Sequence, residues 1–166
     1  MFKEPVTDKI AAFLIEIGIP VQRAELTEDT FLPGIEVRGG GLLVDETKLA
    51  YPGDLLHEAG HLAVIPADLR PNVDGEVAIE GLNADVVEVE AICWSYAACI
   101  HLGIEPEVVF HEHGYRGQSE RLLFSFRMGN FIGVSGLEAA GMTSTYRNAK
   151  DSVVDPFPAM QKWLRD

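Results

Sequence analysis

The chemistry of this chain is concentrated in one short stretch, His57-Glu58-Ala59-Gly60-His61, which reads H-E-x-x-H and uses two of only five histidines. On an α-helix residues four apart share a face. Both imidazoles can then reach one ion, while Glu58 points beside it towards a bound water. Zinc accepts imidazole nitrogen readily, and a catalytic zinc site keeps one position open for water. The expectation is Zn²⁺ held by His57 and His61, with Glu58 taking the proton of the metal-activated water as it attacks a carbonyl. The alternative is a core helix with two satisfied histidines and a surface glutamate. Leu55, Leu56, Leu62, Ala63, Val64 and Ile65 make the segment an apolar, buried helix. Burying two His and one Glu without a partner is costly, which favours the metal.

Two histidines need a third protein ligand. A downstream histidine in the H-E-x-x-H-x-x-G-x-x-H form is excluded, because Val64 stands where Gly is required and Ala67 where His is required. The remaining source is an acid on a second buried helix, where Asp85, Glu88 and Glu90 enter a very apolar segment. Glu88 and Glu90 differ by about 200° around the axis, so one of them at most faces the metal. Glu90 shares its stripe with Val86, Val87, Cys93, Trp94 and Ala97, whereas Glu88 lies with Asp85, Ile92 and Ser95. An acid embedded among apolar neighbours needs a cation, so Glu90 is chosen over Glu88. For both acids the simpler alternative is a solvated helix start, where the dipole favours negative charge.

HEAGH followed by Glu90-Ala91-Ile92-Cys93-Trp94-Ser95-Tyr96-Ala97-Ala98 resembles the gluzincin arrangement. In scale it is nearest to the compact ImmA/IrrE-type bacterial metallopeptidase domains, and the stretch from Trp94 to Leu123 is also similar to small bacterial proteins carrying the same HExxH. The likeness to ImmA/IrrE covers the two helices and little else. That family's EAN(x)FA pattern is broken, with Ile92 in the Asn place and Trp94 in the Phe place. The resemblance implies a zincin-like fold, zinc, and peptide-bond hydrolysis with Glu58 as base. It implies no particular substrate.

A second polar concentration is His111-Glu112-His113-Gly114-Tyr115-Arg116-Gly117. Zincins often place a His, Tyr or Arg opposite the metal to stabilise the oxyanion. Tyr115 is the residue named for that catalytic role, with Arg116 and His111 as alternatives, and an ordinary surface loop as the competing reading. Asp54 reads as a helix cap, or as an acid orienting an imidazole. His101 reads as a packed or dipole-facing residue. There is no GxxxxGK[ST] loop and no GxSxG elbow.

The elements that would position these groups follow from periodicity and breakers. A first helix is expected over Asp8 to Ile17, capped by Thr7 and ended by Gly18. Residues 34–38 and 42–45 read as a hairpin around Gly39-Gly40-Gly41. Its edge is either a place for an extended peptide to add as a strand or simply a cover for the core. The motif helix follows the turn Tyr51-Pro52-Gly53-Asp54 and is stopped by Pro66. A short strand is expected at Glu76 to Ile79, and a long central helix at Asn83 to Leu102, ended by Gly103. Further helices are expected at Ser119 to Met128, within Gly133 to Thr143, and at Pro156 to Leu164.

At 166 residues the economical reading is one domain over 1–166. A net charge of −13 argues against nucleic acid or an anionic membrane as the main partner, and no apolar run is long enough to span a bilayer. The N-terminus lacks a basic region followed by a cleavable apolar core, so the expected location is cytoplasmic. Cys93 and Cys99, six apart on one helix, are too far apart for a disulfide and read as small core residues. The sequence therefore points to an α+β, mostly helical, zincin-like domain acting on a peptide or protein substrate. Its small size leaves little room for a second lobe to wall the cleft, and a partner subunit in a homo-oligomer would supply one. The competing readings are a non-catalytic zincin-fold domain used for regulation or recognition, and a structural site in which the metal staples two helices.

Overall fold

In a computed structural model that describes residues 1–27, 30–75, 81–145 and 154–166, the first helix, α1, spans Pro5–Ile17. It starts earlier than Thr7 suggested. Pro5 has the fixed φ that suits a first helical position, and Glu4 is the cap, its carboxylate accepting from Thr7 N–H at 2.5 Å. Thr7 lies inside the first turn and donates its own hydroxyl to Glu4. Gly18 ends the helix in the left-handed region at φ +100°, as the sequence suggested.

A three-stranded sheet follows, formed by β1 (Val21–Arg23), β2 (Ile35–Arg38) and β3 (Gly41–Val44) in the order β1-β3-β2. The expected hairpin is β2–β3, paired antiparallel from Ile35↔Val44 to Arg38↔Gly41. β1 was not foreseen. It runs parallel to β3 and makes β3 the central strand. The outer edge of β2 is partly occupied, because Val37 C=O accepts from Gly75 N–H at 2.8 Å. The strand expected at 76–79 lies outside the described residues.

The motif helix, α2, spans Asp54–Val64, and the long helix, α3, spans Ala84–Leu102. Asn83 caps α3 by accepting from Asp85 and Val86 N–H, and Gly103 closes it at φ +60°. The two helices pack closely because position 60 is glycine. A Cβ there would stand 2.9 Å from Ala91 O and 3.0 Å from Ser95 Oγ. Ser95 Oγ also reaches Leu56 O at 3.0 Å, tying α3 to α2 through the core. Cys93 and Cys99 are buried and unpaired as thiols, and burial pushes the Cys99 thiol up to about 12.

Two shorter helices, α4 (Ser119–Arg127) and α5 (Val134–Ala139), cover the other side of α3. The terminal helix expected over 156–164 does not form. Thr143 bridges to Met160, and Trp163 C=O accepts from Trp94 Nε1 at 2.8 Å. Arg165 N–H donates to Ala63 O at 2.9 Å. The tail's backbone is used to dock on α2 and α3, so it is not available for a helical ladder. Phe157 is nevertheless buried, and Met160, Trp163 and Leu164 pack on the core as their apolar character required. The result is α+β with more helix than strand around one hydrophobic core. Among the described residues, no helix is long and apolar enough to cross a membrane.

Candidate metal centre

The i, i+4 spacing on α2 brings His57 Nε2 and His61 Nε2 to 3.2 Å from each other. The third group at this point is Glu88, from the first turns of α3. Its Oε2 lies 3.1 Å from His61 Nε2, and its Oε1 lies 3.9 Å from His57 Nε2. Among the described residues, these three form a group whose donor atoms all lie within 4.8 Å of one another. Ligands about 2.0–2.2 Å from a tetrahedral zinc stand ~3.4 Å apart, so the observed spacings fit such an ion with little adjustment. The donor chemistry fits as well: two imidazole nitrogens and one carboxylate are a zinc set, and leave one position for water.

Glu90, the ligand chosen from sequence, is not brought to the histidines. It is buried on the opposite side of α3, where its Oε2 lies 2.8 Å from Arg165 Nη2. The argument that an acid in the apolar stripe needs a cation holds, but the cation is a guanidinium from the C-terminal tail. A glycine accommodates the pair: a Cβ on Gly136 of α5 would collide with the Glu90 carboxylate. Glu88, Ala91 and Ser95 share one face, and Ala91 and Ser95 are the residues against which Gly60 packs. The polar side of α3 is thus the side turned towards the motif helix.

The electrostatics suit metal binding. Burial, reinforced by the neighbouring His61, lowers the His57 pKa to about 4, so its ring is neutral and its nitrogen lone pair is free at ordinary pH. The hydrogen bond from His61 holds the Glu88 carboxyl below its usual range, and the charge of Arg116 acts in the same direction. Glu88 is 44% exposed while the two histidines are mostly buried, so the cluster opens to solvent on the Glu88 side. Glu58 is half-buried next to His57 on the same helix.

The loop over 111–118 reaches the site through Tyr115. Tyr115 Oη lies 3.2 Å from His57 Nδ1, the nitrogen on the far side of the ring from the cluster. Burial pushes the phenol well above its usual pKa, so it is a neutral hydroxyl. Its hydroxyl meets the His57 ring at the nitrogen turned away from Glu88 and His61. His111 Nε2 lies 2.9 Å from Asp54 Oδ1, which explains why Asp54 makes no cap bond at the start of α2. Asp54 does orient an imidazole, but that of His111. Tyr115 and Arg116 have φ of +51° and +54°, two successive residues in the left-handed region. Each costs about 1–2 kcal/mol relative to ordinary backbone, so the loop is held in this shape by its surroundings.

Compared with protein-family models, curated proteins and solved structures, the chain finds no match.

Proposed function

We propose that the chain is a zincin-like, zinc-dependent hydrolase of peptide or amide bonds, with His57, His61 and Glu88 as metal ligands and Glu58 as general base and acid. The observation that carries this reading is the convergence of two imidazole nitrogens and a carboxylate from two locked helices, beside a glutamate, on a face open to solvent. When bound, zinc supplies Lewis acidity, bringing the pKa of a water to near 7 and polarising a carbonyl. Glu58 removes the proton from the attacking water and returns it to the leaving amine. Glu88 and the two histidines hold the charge in place. Arg116 is exposed and its charge reaches Glu88, which supports it as the cation that would meet a developing oxyanion.

A structural staple would use four protein ligands. Among the described residues the group has three, and its carboxylate is exposed. That difference supports catalysis over the structural alternative.

The test is elemental analysis of purified wild type beside His57→Ala, Glu58→Gln, Glu88→Ala and Glu90→Ala, followed by cleavage of a peptide library. One zinc per chain is expected in wild type, Glu58→Gln and Glu90→Ala, and loss in His57→Ala and Glu88→Ala. Cleavage by wild type that disappears in Glu58→Gln completes the reading. Zinc binding without any cleavage would leave a non-catalytic metal domain. No zinc in any preparation, even after supply, would overturn the proposal.

A further inference from the structure

The two histidines of the cluster are not equivalently supported. His61 Nδ1 is buried and has no hydrogen-bond partner among the described residues, whereas His57 Nδ1 meets the hydroxyl of Tyr115. We infer that Tyr115 is a positioning residue, whose oxygen accepts the His57 Nδ1–H and so fixes the tautomer and ring plane in which His57 offers Nε2 to the metal. This rests on the zinc reading above and adds to it a residue that touches neither metal nor substrate.

The contact is built by several independent features. When Nε2 is a ligand, the only ring N–H left on His57 is at Nδ1, and an acceptor there settles which nitrogen carries the proton. The Tyr115 ring stands edge-on to the His57 ring, with centroids 5.0 Å apart and planes at 80°, and it stacks on buried Phe110 on its other side. The ring therefore cannot swing without losing both neighbours.

The loop that carries Tyr115 is fastened to the same helix it acts on. His111 bonds to Asp54, three residues before His57, so Asp54 and His57 share a face of α2. Tyr51 stacks on the His111 ring at 3.8 Å, with planes 9° apart. Ser119 Oγ donates to His111 O at 2.6 Å, closing the loop at its base. Gly114 lies against the His111 ring, where a Cβ would come within 3.3 Å. Two rungs one turn apart, Asp54–His111 and His57–Tyr115, set the register between loop and helix. The left-handed backbone at Tyr115 and Arg116 is what aims the phenol at His57.

The experiment compares zinc-loaded wild type with Tyr115→Phe, which keeps the ring and both stacking contacts but removes the acceptor. Zinc affinity is measured by competition with a chelating dye, and the unfolding midpoint of the metal-free proteins is measured alongside. Loss of a hydrogen-bond partner of a metal-binding histidine typically weakens metal binding 10–100-fold. The expected result is a drop in that range with an unchanged metal-free midpoint. Nitrogen-15 NMR of the wild type gives a second readout that does not depend on the variant folding: a His57 Nδ1 proton protected from exchange in the zinc form.

Equal zinc affinity in Tyr115→Phe overturns the inference while leaving the metal site intact, and so does a His57 that carries its proton on Nε2. A wild type that binds no zinc fails differently, because Glu88→Ala then matches it, and the functional proposal and this inference fall together.

Discussion

Glu88 and Glu90, two positions apart on α3, send their carboxylates to opposite sides of the helix and to different partners. Glu88 Oε2 stands 3.1 Å from His61 Nε2 at the solvent-facing cluster, and Glu90 Oε2 stands 2.8 Å from Arg165 Nη2 inside the fold. The ~200° between them around the axis makes this division of labour geometrically necessary once one faces α2. Burial raises the Glu90 pKa in spite of its partner, so the ion pair offsets only part of the cost of taking the carboxylate out of water.

Breaking that pair is expected to act on stability and to spare the metal. Arg165→Leu leaves a buried carboxylate alone, and removal of one partner of a buried pair costs about 3–5 kcal/mol, nearer the lower figure here because Arg165 is partly exposed. Urea unfolding gives the loss, and elemental analysis should still find one zinc. Combining Glu90→Leu with Arg165→Leu should recover most of the stability. A double variant as unstable as the single would show that Arg165 acts through its other bonds.

Gly60 governs how near α3 can come to α2. Gly60→Ala places a methyl 2.9 Å from Ala91 O, so the helices must shift apart. Overpacking of this kind costs about 1–3 kcal/mol. Because Glu88 is on the helix being displaced, zinc affinity should fall along with stability. Calorimetric zinc titration against a Gly60→Ser control separates a graded spacing effect from simple misfolding. Unchanged affinity in Gly60→Ala would mean that the spacing does not limit the site.

Zinc should stabilise the fold by mass action. At a free concentration about 100 times the dissociation constant the gain is about 2.7 kcal/mol, or roughly 5–10 °C in midpoint for a chain of this length. Chelator should reverse the shift, and Glu88→Ala should show none. Thermal scans with and without chelator check this directly, and a shift that persists in Glu88→Ala would place the ion elsewhere.

Acid sensitivity has one clear local source. Asp45 is buried, and its carboxylate accepts from the Thr47 hydroxyl at 2.6 Å, from Leu26 N–H at 3.1 Å and from Thr47 N–H at 3.0 Å. The Thr47 hydroxyl first, and Leu26 N–H next, hold its pKa below the ordinary value near 3.8. A carboxyl with a depressed folded pKa contributes stability above the unfolded value and loses it as pH falls through the folded one. Stability should therefore drop below about pH 4 with a component that Asp45→Asn removes. Denaturant titrations stepped from pH 5 to pH 2 would show it, and identical slopes for the two proteins would assign the effect to other carboxyls.

Local rules carried much of the architecture. Gly18 ends α1, the triple glycine turns β2 into β3, and Asn83 and Gly103 bound α3, while the start of α1 at Pro5 was missed. What escaped depends on partners distant in sequence. β1 is three residues long, too short to alternate, and exists because β3 accepts it. The tail from 156 to 164 carries apolar residues at helical spacing, yet Trp163 C=O is taken by Trp94 Nε1, Ala159 C=O by the Thr143 hydroxyl and Gln161 N–H by Met142 C=O. The motif told where the two histidines of the cluster lie. The choice between Glu88 and Glu90 turned on Arg165, 75 residues further along the chain, which no local pattern announces.

That separation has a consequence for the order of events during synthesis. The histidines and both glutamates leave the ribosome well before Arg165. At 5–20 residues per second, the 75 residues between Glu90 and Arg165 take roughly 4–15 s to translate. Through that interval the carboxylate of Glu90 and the carbonyl of Ala63 lack the Arg165 groups that meet them in the folded chain. The nascent pair of α2 and α3 can bring His57, His61 and Glu88 together while its other side is still hydrated, and sealing waits for the tail.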